Sequence, residues 1–90
     1  MKDLKSKVAI VTGSSSGVGA ATARLLASLG CHVVINYNSN SSGAESIALE
    51  CKKEGVETLV VKANVANDDD CRALAAAAID KWGRIDVLVN

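Results

Sequence analysis

Residues Val8 to Gly19 read Val-Ala-Ile-Val-Thr-Gly-Ser-Ser-Ser-Gly-Val-Gly, and the fold turns on them. A short apolar run rich in β-branched residues breaks into glycines and serines, and a helical pattern follows at once. A strand that ends in a glycine-rich turn and feeds a helix is a phosphate-holding arrangement. Backbone N–H groups face the anion, the helix N-terminus adds partial positive charge, and missing Cβ atoms let the phosphate come close. Gly13 permits the tight turn after the strand. Gly17 and Gly19 leave room for a pyrophosphate and for the helix to lie against the sheet. The spacing is Gly-x-x-x-Gly-x-Gly rather than Gly-x-Gly-x-x-Gly, and no Lys-Ser/Thr follows the second glycine as in a mononucleotide P-loop. The plainer alternative is a glycine-serine loop that only turns the chain.

Working outward, Val18, Ala21, Leu25 and Leu29 recur at helical spacing, with Leu26 beside them, and Gly30 ends the helix. Cys31 to Tyr37 is a second apolar run. A polar loop from Ser39 to Gly43 leads to a helix whose Ala44, Ile47, Ala48 and Cys51 share a face, and Gly55 stops it. Glu57 to Lys62 forms a third strand. Asn67 caps a third helix with Asp68, Asp69 and Asp70 in its first turn, where the helix dipole favours carboxylates; consecutive helical residues diverge, so these three do not form a metal site. Cys71, Leu74, Ala75, Ala78, Ile79 and Trp82 line its predicted inner face. Gly83 ends it, and Ile85 to Asn90 begins a fourth strand.

Strands apolar on both sides, separated by amphipathic helices, predict an α/β fold: a Rossmann-type parallel sheet covered by helices on both faces. Right-handed crossovers and the glycine turn predict the strand order 3-2-1-4 for the part present. The crevice between strands one and four is then where a dinucleotide binds.

Composition narrows the field. Ninety residues without proline, 49% of them hydrophobic, make one globular unit at most. Ten basic and ten acidic side chains cancel, so no charge surplus points to nucleic acid or to an anionic membrane. The charged N-terminal stretch is neither a secretion signal nor a membrane span, which predicts a cytoplasmic setting or another reducing compartment. Cys31, Cys51 and Cys71 lack metal or redox spacing and read as reduced thiols. His32 has no second ligand in sight.

Thr12-Gly13-Ser14-Ser15-Ser16-Gly17-Val18-Gly19 resembles the Thr-Gly-x-x-x-Gly-x-Gly signature of the short-chain dehydrogenase/reductase family. Asp86-Val87-Leu88-Val89-Asn90 resembles the approach to that family's Asn-Asn-Ala-Gly segment, and Lys62-Ala63-Asn64-Val65 sits where members carry an Asp-Val pair. The resemblance covers essentially the whole chain. It implies a NAD(P)-dependent oxidoreductase in which Gly13, Ser14, Ser15, Ser16, Gly17, Val18 and Gly19 hold the pyrophosphate and adenine ribose. Asn64 and Val65 then border the adenine, with the Asn64 amide oxygen accepting from its amino group, and Asn90 lies next to the cofactor ribose. For both asparagines, closing loop backbone is the competing role.

An NAD enzyme of this build places a carboxylate at the end of strand two to accept the ribose hydroxyls. Tyr37 stands there, flanked by Asn36 and Asn38, so a 2′-phosphate is not repelled and Asn38 and Ser39 can donate to it. Ser16 replaces the arginine that many NADP members carry. NADP(H) is the expected cofactor, with NAD second.

The family's catalytic serine and Tyr-x-x-x-Lys pair are not found in this stretch: Ser41 stands four residues after Tyr37, the one tyrosine. The reading is therefore that residues 1–90 are the N-terminal part of one dinucleotide-binding domain, cut after its fourth strand, inactive alone and prone to aggregate through an apolar edge at Val87, Leu88 and Val89. The parent enzyme is expected to move a hydride between NADP(H) and a ketone or secondary alcohol, loosely like reducers of 3-oxoacyl thioesters and polyketide-type ketones, and to form homo-oligomers through later helices. The alternatives are a non-catalytic NADP(H)-binding sensor or scaffold of the same fold and, more remotely, a nucleotide-binding protein of another class.

Overall fold

The computed structural model describes residues 4–90. Strands β1 (Val8–Val11), β2 (His32–Tyr37), β3 (Thr58–Lys62) and β4 (Val87–Val89) alternate with helices α1 (Gly17–Ser28), α2 (Ser41–Lys52) and α3 (Asp68–Trp82). All strand pairs are parallel, in the order β3-β2-β1-β4. Register pairs Val8 with His32 and Val11 with Ile35, and Tyr37 with Lys62. The C-terminal ends of all four strands therefore share one edge.

Side chains alternate across the sheet, and each set finds its own helix layer. Ala9, Val11, Val33 and Ile35 meet α1 and α2, whereas Val8, Ile10 and Val34 meet Leu74 and Ala78 of α3. Ile10, Ile35 and the valines of β1 and β2 are almost wholly buried. Each contributes roughly 1.5–3 kcal/mol by leaving water.

The face α1 turns to the sheet is not the predicted one. Ala20, Ala23, Leu26 and Ala27 are buried, while Val18 is 84% and Leu25 59% exposed. Only methyl-sized side chains along Ala20, Ala23 and Ala27 let the helix lie this close to β1 and β2, so the larger apolar residues point outward. The face of α2 matches its prediction, with Ala44, Ile47, Ala48 and Cys51 buried. On α3, Leu74 and Ala78 are buried but Cys71 and Ile79 are exposed.

Ends are set by specific bonds. After α1, the Gly30 N–H donates to Ala27 O and the Cys31 N–H to Leu26 O, with Gly30 at φ 99°, the two bonds of a Schellman motif. Helix α2 starts at Ser41, three residues before the predicted face begins, because the Asn40 side chain accepts the Gly43 N–H at 3.1 Å. Asn67 caps α3 through the Asp70 N–H at 3.1 Å, and Gly83 closes it at φ 73°. Strand β4 is shorter than predicted, Val87–Val89, although Asp86 before it still meets Val8, its N–H donating to Val8 O and its Oδ2 accepting the Val8 N–H, both at 2.9 Å.

His32 is less bland than its isolation in the sequence implied. Its Nδ1 accepts the Glu57 N–H at 3.0 Å, and its ring stacks on Trp82 with centroids 5.7 Å apart. Lys81 lies over the same indole and pairs with Glu57 at 3.6 Å. This cluster ties the end of α3 to the starts of β2 and β3, opposite the edge that carries the glycine loop.

Candidate nucleotide-binding site

At the end of β1 the chain leaves the sheet through Thr12 and Gly13, the latter at φ 61°. The Thr12 N–H donates to Val89 O at 2.9 Å, and Thr12 Oγ1 reaches Asn90 Oδ1 at 3.2 Å. The Gly13 N–H donates to Asn36 Oδ1 at 3.0 Å, and the Ser14 N–H to Asn36 O at 3.0 Å. Ser14 itself is buried, its Oγ donating to Val11 O at 2.7 Å and accepting the Asn36 N–H at 2.9 Å. Where β1 has peeled away from β2, Ser14 continues the ladder in its place.

Two loop residues stand apart from the rest. The amides of Gly13 and Ser14 are taken up by Asn36 and shape the turn. The open amides begin one residue later. Among the described residues, no acceptor meets the N–H groups of Ser15, Ser16, Gly17, Val18 or Gly19. Ser16 occupies the N-cap in extended conformation without a side-chain cap, and the first turn of α1 carries no acidic residue. The result is an uncapped helix N-terminus with its partial positive charge unanswered.

The glycines explain why the loop stays open and thin. A Cβ built on Gly17, at φ 61°, meets nothing within 4 Å, so that side of the turn is free space. A Cβ on Gly19 would collide with the Gly13 carbonyl, its carbon only 2.8 Å away. Gly19 therefore serves the close approach of α1 to the loop, and Gly17 the left-handed turn. At the start of α2, Gly43 is pressed equally hard between the Ser15 carbonyl, 2.7 Å from a built Cβ, and Asn40.

Tyr37 is half-buried against the core shared with α1 and α2, while Asn38 and Ser39 are exposed, with no side-chain partner among the described residues. Asn64 and Val65 are exposed after β3. The Asn64 Oδ1 accepts the Ala66 N–H at 3.0 Å, so the oxygen expected to read an adenine amino group also closes the loop, with its second lone pair left over. Its backbone N–H is held by Asp70 Oδ2 at 2.8 Å, which binds the loop to α3. Asn90 ends β4 beside Thr12, with its own oxygen taking the Thr12 hydroxyl. The structure thus brings all the predicted positions to one edge of the sheet.

Asn36 is the residue the sequence reading passed over. Its Nδ2 donates to Val61 O at 3.3 Å and Ala63 O at 3.2 Å, and it is 2% exposed. A buried asparagine at the end of an apolar strand was the available signal, because such an amide must find partners.

No group of three or more His, Cys, Asp or Glu suited to a metal occurs among the described residues. The cysteines are free, Cys31 and Cys51 buried and Cys71 exposed. Burial pushes the Cys51 thiol up to about 11, with Glu50 adding to the effect, and raises Cys31 as well. No helix of the described residues is long and apolar enough to cross a membrane.

The family model for short chain dehydrogenase matches residues 7–90. The chain belongs to the short-chain dehydrogenase family. A 3-oxoacyl-[acyl-carrier-protein] reductase of Synechocystis is 47% identical over 90 residues, covering all of this chain and 36% of that protein. The 3-oxoacyl-[acyl-carrier-protein] reductase FabG of Staphylococcus aureus is 39% identical over 84 residues, covering 93% and 34% respectively. Among solved structures, a short chain dehydrogenase from Burkholderia cenocepacia in complex with NADP superposes with a TM-score of 0.93 at 32% identity, over 97% of this chain and 36% of that one. A short-chain dehydrogenase/reductase of Serratia marcescens gives 0.92 at 36% identity, over 97% and 36%. The chain spans about a third of the length of these short-chain dehydrogenases, and its parallel sheet in the order 3-2-1-4 is theirs.

Proposed function

We propose that this chain is the N-terminal, adenosine-binding part of an NADP(H)-dependent carbonyl reductase, one that interconverts a ketone and a secondary alcohol. One observation carries the reading. The run of amides from Ser15 to Gly19 lies open at the N-terminus of α1, next to a strand end that presents Tyr37 and no carboxylate.

The residues present fit such a cofactor. Five N–H donors without acceptors, beside the free space at Gly17, suit a diphosphate. Asn38 and Ser39 offer unengaged donors for a 2′-phosphate, and no acidic side chain stands among them to repel it. Val65 and the free Nδ2 of Asn64 border the place for the adenine, and Asn90 the cofactor ribose. Bound there, NADP(H) supplies or accepts the hydride. This stretch binds and orients. The name of the Synechocystis relative supports a 3-oxoacyl thioester as the substrate class.

The test uses the full-length protein. Fluorescence titration should give NADPH at least tenfold tighter binding than NADH, and a 3-oxoacyl thioester should drive NADPH oxidation. NADPH binding without turnover of any ketone supports a non-catalytic NADP(H) binder instead, and equal indifference to both dinucleotides sinks the reading.

A further inference from the structure

Asn36 lies where three segments of the candidate site meet: the glycine-rich turn after β1, the end of β2, and the exit of β3. Its six polar contacts are all internal. The side-chain oxygen takes the Gly13 N–H at 3.0 Å, and the two Nδ2 hydrogens are shared among Ala63 O at 3.2 Å, Val61 O at 3.3 Å and Tyr37 O at 3.4 Å. Its backbone exchanges bonds with Ser14, at 2.9 Å through Oγ and 3.0 Å through the N–H. With 2% exposure it is shielded from any ligand.

We propose that Asn36 is a positioning residue that sets the distance between the diphosphate-binding and adenine-binding halves of the cofactor site. The inference rests on the NADP(H) reading above. Gly13 is the root of the loop whose later amides lie open, and Ala63 immediately precedes Asn64 and Val65. One planar amide joins them, accepting on one side and donating on the other. Few side chains of this length can do both. A carboxylate offers no hydrogen to Val61 O and Ala63 O, and an aliphatic group offers nothing to Gly13. With the amide gone, the two loops keep their backbone ties to β2 but lose the side-chain link that joins them directly. A dinucleotide that must engage both then finds them less often at the right separation.

The experiment is a comparison of wild-type, Asn36→Asp and Asn36→Ser in the full-length protein. Asn36→Asp keeps the shape and loses the donors; Asn36→Ser avoids a buried charge. The expected result is a rise of about tenfold or more in the NADPH dissociation constant and in the KM for NADPH. Turnover at saturating NADPH and the KM for the carbonyl substrate stay within about twofold. The same variants should bind 2′,5′-ADP with a smaller loss, because that fragment does not span the diphosphate.

Asn36 as a purely structural residue predicts a different pattern. Thermal midpoint and apparent turnover then fall through a smaller folded fraction, while the NADPH dissociation constant of the folded molecules stays put. That outcome overturns the proposal, as does wild-type affinity in both variants. Should the wild-type protein bind neither NADPH nor NADH, the functional reading fails and this inference with it, whereas tight wild-type binding with indifferent Asn36 variants removes the inference alone.

Discussion

Ser14 and Asn36, 22 residues apart, hydrogen-bond each other twice, once through the Ser14 N–H and once through its hydroxyl. The pair converts a chain that has left the sheet into one still joined to it. The hydroxyl also donates to Val11 O, so a methyl in its place strands a buried donor on Asn36 and a buried acceptor on Val11. Each such orphan costs about 1–3 kcal/mol. Ser14→Ala should therefore lower the urea midpoint of the full-length protein without changing its slope, and an unaltered midpoint would contradict the burial and bonding of Ser14.

Gly19 and Gly55 make a paired test of what a glycine is for. Gly19→Ala forces the new methyl against the Gly13 carbonyl, and overpacking of this kind typically costs about 1–3 kcal/mol. The loop must shift, so NADPH affinity should drop about tenfold or more, together with the thermal midpoint. Gly55, at φ 86° in the turn after α2, has open space around it. Gly55→Ala should cost roughly 1 kcal/mol of strain and leave the NADPH dissociation constant alone. Equal effects on affinity would show that the close approach at Gly19 is irrelevant to the site.

Tyr37→Asp tests the cofactor choice. A carboxylate at the end of β2 would repel a 2′-phosphate by about 2 kcal/mol, taking a separation of roughly 7 Å and an effective dielectric of about 20. It would also accept from ribose hydroxyls. Preference should move toward NADH by tenfold or more, read as the ratio of dissociation constants. Unchanged affinities for both dinucleotides would refute the assignment of NADP(H) to this edge.

Much of this was readable from residue types alone. The strands announced themselves as β-branched runs, the Asn67 cap and the Gly83 stop marked α3, and Ala44, Ile47, Ala48 and Cys51 marked the buried face of α2. The buried face of α1 is not legible from apolar size, because a helix pressed onto a sheet selects small residues and sends Val18 and Leu25 outward. Asn36, Ser14 and Asn64 were opaque for a different reason. Their partners lie on other strands or on loop backbone, so their roles depend on the sheet order and turn geometry, which residue spacing does not express.

Acid should weaken the junction between β1 and β4. Asp86 accepts two bonds from Arg84, at 2.6 and 2.7 Å, and one from the Val8 N–H. The Arg84 bonds first, and then the Val8 bond, hold its carboxyl below the ordinary 3.8. A depressed folded-state value means that the unfolded chain takes up this proton first. The contribution of Asp86 is thus present above about pH 4 and is lost as pH falls through the lowered value. Thermal midpoints measured from pH 6 to pH 3 should fall more steeply for wild-type than for Asp86→Asn. Parallel curves would remove Asp86 from the acid response.

Thiol labelling provides an independent check on burial. Cys31 and Cys51 are enclosed and their thiols are raised, Cys51 to about 11, so the reactive thiolate is scarce at neutral pH. Iodoacetamide treatment of the folded protein, followed by peptide mass spectrometry, should leave both unmodified until denaturant is added. Early labelling of either would contradict the packing of α1 and α2 on the sheet.

The methyl groups of Ala20, Ala23 and Ala27 act as a shim of fixed thickness under α1. From Ala27 to the mouth of the helix at Gly17 is about 15 Å of rigid rod, so extra bulk beneath the far end tilts the near one. If a dinucleotide binds at that mouth as proposed, its affinity should consequently depend on buried side chains it never touches. A mutational map of binding would find sensitive positions well away from the contact surface, strung along the underside of a single helix.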